Sequence, residues 1–219
     1  MLVLAFDTAT PAVTAALHDG ERVLAESTTI DARRHGELLV PTIELVLGEA
    51  RAALRDVTAI VAGSGPGPYT GLRVGLMTAQ GLATTLGVPA YGICTLDAVA
   101  YGSGLAEPFL VATDARRKEV FWARYADMRT RIDGPFVDRP AEVPVKGVPV
   151  VGAGAALYAE ILGQEGSVLD DVPPYPYAGA LAALAAERLA EGTPLDLPRP
   201  IYLRRPDAVA PGAPKRVTA

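Results

Sequence analysis

The chain opens by alternating short apolar runs with turn signals. Residues 2–6 are continuously apolar and end at Asp7-Thr8, the pattern of a strand covered on both faces. Residues 13–17 form a second such run. His18-Asp19-Gly20 then supplies the positive-φ turn of a tight hairpin, and 22–29 predict a third strand. The apolar period next lengthens from two towards four. Residues 33–48 predict a helix, 59–62 another buried strand, and 70–86 a second long helix after a glycine-rich loop.

Half a chain later the pattern restarts. Phe109-Leu110-Val111-Ala112-Thr113-Asp114 copies the strand-then-aspartate arrangement of residues 2–7. Residues 116–119 turn the chain and 120–125 return as a strand. Residues 148–151 lead into Gly152-Ala153-Gly154 much as 59–62 lead into the first glycine loop. A helix over 178–190 stops at Gly192 and Pro194. Two ordered copies predict an α/β protein of two facing subdomains. That arrangement resembles the duplicated ribonuclease-H-like units of the actin, Hsp70 and sugar-kinase superfamily, with the second unit reduced. The expected division is 1–104 and 105–206, jointed near 102–108, with 207–219 as a solvated tail.

The two predicted helices of the first half are unusual. In the first, Leu38, Leu39, Val40, Ile43, Leu45, Val46 and Leu47 wrap most of the circumference, leaving Glu37 and Glu44 as a narrow polar strip, and Pro41 removes an internal hydrogen bond. In the second, Leu72, Leu76, Ala79, Ala83 and Leu86 draw one apolar stripe. Gly75 and Gly81 sit inside it and cost about 1 kcal/mol each relative to alanine, so a close neighbouring backbone is expected to offset them. A helix apolar nearly all round is covered on more than one side. Either this chain's own core covers both sides, or the helices leave a surface for another subunit.

Composition narrows the field. A chain of 219 residues with half its residues hydrophobic supports a sizeable core. No apolar run approaches the roughly 20 residues that cross a bilayer, and the N-terminus reads as a strand and not a signal peptide. Cys94 is the only cysteine, which excludes an intrachain disulfide and points to a reducing cytoplasm and an inert thiol. The net charge of −5 argues against independent binding of nucleic acid, although Arg116-Arg117-Lys118 and Arg204-Arg205 form local basic patches.

The most specific stretch is Gly63-Ser64-Gly65-Pro66-Gly67-Pro68-Tyr69-Thr70-Gly71-Leu72-Arg73-Val74-Gly75. Lying between strand and helix, it is either an anion site or a tight turn capped by Thr70. It lacks the Lys-Ser/Thr end of a Walker A loop and the third glycine of a dinucleotide fingerprint. This loop, together with Asp7-Thr8-Ala9-Thr10, His35-Gly36-Glu37-Leu38-Leu39-Val40-Pro41, Asp114-Ala115-Arg116-Arg117-Lys118-Glu119-Val120-Phe121 and Pro200-Ile201-Tyr202-Leu203-Arg204, resembles the TsaB family, also called YeaZ-type and glycoprotease-like. The segments run in family order over residues 1–205. Pro68-Tyr69 replaces the commoner Ser-Phe, and Ala153 replaces a frequent acidic residue.

The resemblance implies a non-catalytic scaffold for synthesis of threonylcarbamoyladenosine in tRNA. Its implied partners are a TsaD-like catalytic subunit and a TsaE-like ATPase, with tRNA reached only through the complex and a homodimer in isolation. The expected interface is His35, Leu39, Ile43, Val46, Leu72, Arg73, Leu76 and Ala79. Asp7, Thr8, Gly65, Gly67 and Thr70 are candidate anion or nucleotide contacts, with ATP or ADP expected in the complex and not bound tightly by this chain alone.

Residue chemistry weighs against the alternatives. The catalytic paralogue TsaD holds a metal with two histidines one helical turn apart; here His35 is followed by Leu39, and His18 lies in a hairpin turn, so no metal site is expected. An autonomous actin-like ATPase or sugar kinase would place glycine beside the aspartates, where this chain has Ala9 and Ala115. Asp7 and Asp114 read more simply as turn caps. A metal-dependent peptidase needs ligands that are missing, and Ser64 and Ser103 lack a histidine partner. A ribonuclease-H-like nuclease needs several converging carboxylates, and only Asp7 is suitably placed.

Overall fold

The computed structural model describes residues 1–204; the expected tail at 207–219 lies outside them, as does Arg205. The first sheet takes β1 (Val3–Asp7), β2 (Ala12–His18) and β3 (Val23–Ile30) as an antiparallel meander. The chain then runs through α1 (His35–Glu49), β4 (Ala59–Gly63), α2 (Tyr69–Leu86) and β5 (Ala90–Ile93). The sheet order is β3-β2-β1-β4-β5, with β4 and β5 parallel to β1.

After α3 (Thr95–Ser103), the second sheet repeats this plan. It contains β6 (Phe109–Asp114), β7 (Val120–Asp127) and β8 (Thr130–Asp138), again antiparallel. Then come β9 (Pro149–Val151), the short α4 (Ala153–Leu157) and α5 (Ala159–Leu162), and β10 (Ser167–Val168). The order β10-β9-β6-β7-β8 is the first sheet's order strand for strand. The reduction of the second copy lies in its helices: two short ones stand where the first copy has the 18-residue α2. The chain closes with α6 (Ala178–Ala190).

Why the strands read as unbroken apolar runs is visible in β1. Its side chains alternate faces: Leu4 and Phe6 pack with Leu39, Ile43, Leu72 and Leu76 from α1 and α2, whereas Val3 and Ala5 pack with Leu181, Ala182 and Ala185 of α6. With helices on both sides, β1 and β2 are buried throughout, and the polar half of the usual alternation is lost. The edge strand β3, partly open, keeps its polar residues.

The terminal helix of each half crosses over. α6 lies on the first sheet, where the Ala178 amide donates to Thr14 Oγ1 (3.0 Å) and the Gly179 amide to Glu26 Oε1 (2.7 Å). α3 joins the core of the second sheet through Leu96, Val99 and Ala100 against Phe109 and Val111.

Three sequence expectations need correcting. The first helix begins at His35 and not at 33, because the Asp31 carboxylate accepts the Arg33 and Arg34 amides (2.9 and 3.1 Å) and holds them in a turn. The second begins at Tyr69, so Thr70 lies inside its first turn and caps nothing. It ends on Gly87 at φ 68°, whose amide reaches the Ala83 carbonyl. The strands β5 and β8 and the helix α3 have no counterpart in the sequence expectations: β5 is only four residues long, β8 is largely exposed and lacks an apolar pattern, and α3 is buried against the sheet of the other half.

Candidate functional site

The loop after β1 is organised by its two polar residues. Asp7 Oδ1 accepts the Ala9 amide at 2.6 Å, closing a turn onto the residue two positions on. Its Oδ2 accepts the Thr95 hydroxyl at 2.7 Å, and that hydroxyl accepts the Gly65 amide at 3.0 Å. Burial pushes the Asp7 carboxyl up to about 6, against the pull of these two hydrogen bonds. Thr8 Oγ1 donates to the Gly71 carbonyl (2.7 Å) and accepts the Gly75 amide (3.0 Å), so one hydroxyl pins the first turns of α2. A Cβ on Gly75 would stand 2.7 Å from that hydroxyl, which is this glycine's reason for being there.

Asp114, the counterpart of Asp7, makes the same turn: its Oδ1 accepts the Arg116 amide at 2.8 Å. Arg116, Arg117 and Lys118 follow with φ of 59°, 57° and 61°, an exposed left-handed turn of three cations in a backbone conformation that side chains disfavour.

The glycine loop is bound inward. The Ser64 amide donates to the Ile93 carbonyl (2.7 Å), the Thr95 amide to the Gly65 carbonyl (2.8 Å) and the Ile201 amide to the Ser64 carbonyl (2.8 Å). Gly67 lies against the Ala9 backbone with no room for a Cβ. Of the candidate anion contacts, Asp7, Thr8 and Gly65 are thus buried and engaged within the chain, Gly67 is half-buried, and only Thr70 is exposed.

The expected interface residues divide sharply. Leu39, Ile43, Val46, Leu72, Leu76 and Ala79 are all buried in the chain's own core, so they cannot meet a partner. Their stripe faces the sheet because the sheet offers the larger apolar surface. His35 Nε2 lies 2.8 Å from the Thr10 carbonyl and ties the start of α1 to the loop after β1. Arg73 is exposed, but its Nε donates to the Tyr202 hydroxyl (3.1 Å) and its guanidinium lies 3.9 Å over the Tyr69 ring. Tyr69 and Tyr202 stack with centroids 5.6 Å apart.

What faces outward is the opposite side of the same helices. Val40 and Leu45 on α1 are 51% and 49% exposed, and Met77 on α2 is 56% exposed. Gly81 also lies on this side, and a Cβ there would meet nothing within 4 Å. Its cost to the helix therefore has no compensation inside the chain.

Sequence reasoning gave no role to the segment from Pro194 to Arg204. It runs as a strap across both lobes. The Gly92 amide donates to the Asp196 carbonyl (2.9 Å), Tyr202 meets Tyr69 and Arg73, and Arg204 donates to the Ala115 carbonyl (2.8 Å) and pairs with Glu119. Only the Pro-Ile-Tyr-Leu-Arg signature hinted at it.

The comparisons decide what this geometry belongs to. A family model described as TsaD, tRNA N6-adenosine threonylcarbamoyltransferase, matches residues 22–188. The tRNA threonylcarbamoyladenosine biosynthesis protein TsaB of Escherichia coli is 31% identical over 93% of this chain and 95% of its own length. The chain belongs to the TsaB family. An uncharacterised protein of Mycobacterium tuberculosis is 45% identical over 94% of this chain and 93% of that protein. The crystal structure of YeaZ from Pseudomonas aeruginosa superposes with a TM-score of 0.80 at 31% identity, covering 92% of this chain and 99% of that one. The TsaB fold seen here is a two-lobed, ribonuclease-H-like α/β architecture with one five-stranded sheet in each lobe.

Proposed function

We propose that this chain is a non-catalytic subunit that docks a TsaD-like catalytic protein through the outer faces of α1 and α2. The observation that carries the reading is the exposure of large apolar side chains on both helices, Val40 and Leu45 on α1 and Met77 on α2 one turn before Gly81, while the inner faces of both are already filled by the core. Large apolar side chains on adjacent helices mark an interaction surface, and an uncompensated helical glycine suits the close approach of a second backbone. The same face, unpartnered, would pair two copies of this chain in isolation.

In this reading the TsaD-like subunit transfers threonylcarbamoyl to a tRNA adenosine and a TsaE-like ATPase joins the assembly. The net charge of −5 supports contact with tRNA through the complex only. ATP or ADP is assigned to the complex and not to this chain alone, because Asp7, Thr8 and Gly65 already direct their polar groups to Ala9, Thr95 and α2. A chain acting beside tRNA-modifying enzymes belongs in the cytoplasm, in keeping with a single buried cysteine whose thiol is pushed up to about 12 by burial.

The rival reading is an autonomous ATPase, and calorimetry of the isolated chain with ATP and magnesium separates the two: no heat of binding is expected at micromolar nucleotide. The direct test is reconstitution. TsaD-like and TsaE-like proteins from one organism should modify tRNA only when this chain is added, and the chain alone should transfer nothing.

A further inference from the structure

A cleft of about 720 Å³ opens between the lobes, well within the size range of small-molecule sites. Ser64 just after β4 and Gly92 and Ile93 of β5 form one wall, α3 and α6 contribute Asp97 and Arg188, the β7–β8 turn and the start of β8 contribute Arg129 and Arg131, and the strap contributes Asp196 and Arg199. Neither Asp7 nor Asp114 lines it, so it is separate from the aspartate turns.

Its charge is opposite to that of the protein. Four guanidiniums, Arg129, Arg131, Arg188 and Arg199, face two carboxylates, Asp97 and Asp196, in a chain of net charge −5. Arg129 is neutralised from behind by a two-point contact with Glu187 (2.9 and 2.8 Å). Arg131 and Arg188 share Asp97 at 3.5 and 3.8 Å, while the Tyr125 hydroxyl holds that carboxylate at 2.9 Å. Charge-assisted N–H···O bonds are shorter, about 2.7–2.9 Å, so these two forks retain donors for another acceptor. Ser64 supplies an independent sign. The residue is 4% exposed, lines the cleft, and its hydroxyl has no hydrogen-bond partner among the described residues. A buried hydroxyl without a partner costs about 1–3 kcal/mol, a cost that a ligand acceptor removes.

We infer that this cleft binds a small oxyanionic molecule, its phosphate or carboxylate group received by Arg131, Arg188 and Arg199 and by the Ser64 hydroxyl. Arginine forks suit both oxyanions bidentately. Ile93, Leu195, Leu197 and Ile201 give the rest of the molecule an apolar wall. Because the lining comes from both lobes and the strap, the ligand joins them and stabilises the folded chain in proportion to its occupancy. This assignment does not depend on the docking role of α1 and α2.

The test titrates the full chain with pyrophosphate, inorganic phosphate and citrate, read by thermal denaturation and calorimetry. Saturable stabilisation by at least one probe is expected. A response to pyrophosphate or phosphate without one to citrate assigns a phosphate ligand, and the reverse assigns a carboxylate. Arg199 makes no ion pair and Ser64 no side-chain hydrogen bond among the described residues, so without ligand the double variant Ser64→Ala, Arg199→Ala should melt no lower than the wild type, and higher to the extent that the bare hydroxyl destabilises the chain. It should bind about tenfold more weakly or worse. Pyrophosphate and citrate also stabilise proteins by exclusion from the surface, an effect that grows without saturation. No stabilisation by any of the probes, stabilisation that never saturates, or equal binding by the double variant overturns the site.

Discussion

Asp7 and Thr8 show how single side chains fix the loop on which the first lobe turns. The folded-state value of Asp7, about 6, lies above its ordinary 3.8, so folding favours the protonated carboxyl relative to the unfolded chain. The stability it contributes is complete below about pH 4 and is lost as pH rises through about 6, a change of about 3 kcal/mol. Urea denaturation of the wild type across that window should show the fall, and Asp7→Asn should flatten it. Thr8→Val leaves the Gly71 carbonyl and the Gly75 amide without their buried partner and should cost about 1–3 kcal/mol, whereas Thr8→Ser should recover most of it. Equal melting of the two Thr8 variants would remove the hydroxyl from this account. The sequence foretold the turn-capping aspartates, because an aspartate closing a turn is a local interaction. It could not foretell that Thr8 reaches α2, more than 60 residues away.

At the scale of elements, α1 and α2 each bury one face and expose the other, and the sequence pattern reveals only part of this. That α1 carries apolar side chains round most of its circumference is legible in the sequence pattern. Which side faces the sheet is not: Leu39 and Val40 are neighbours of equal hydrophobicity, and only the position of Leu4 and Phe6 beneath the helix buries the first and exposes the second. Leu76→Arg therefore places a charge in the core and should cost about 4 kcal/mol or more, enough to unfold the chain. Gly81 separates stability from docking. With open space around it, Gly81→Ala should stabilise the isolated chain by about 1 kcal/mol in denaturant melts. In the docking reading the same substitution weakens the complex.

At the scale of the whole molecule, the repeat was the strongest sequence signal. Strand, aspartate turn and glycine loop recur in order, and the structure extends the match to all five strands of each sheet. The crossing of α3 and α6, the strap and the arginine-lined cleft were not legible. Each depends on residues far apart in sequence, such as Ser64 with Ile201, or Asp97 with Arg131 and Arg188, whose periodicity carries no trace of the partner. The strap offers its own check. Tyr202→Ala removes a stacked ring and the Arg73 acceptor, and should cost about 1–2 kcal/mol while increasing amide exchange at Ile201.

The central claim is that the outer face of α1 and α2 receives a TsaD-like subunit. Its most direct test is co-elution with light scattering, using wild type and Met77→Arg mixed with the TsaD-like protein of the same organism. The account predicts a complex for the wild type, none for Met77→Arg, and melting of the variant within about 2 °C of the wild type, since Met77 is exposed. A Met77→Arg chain that still forms the complex would contradict it.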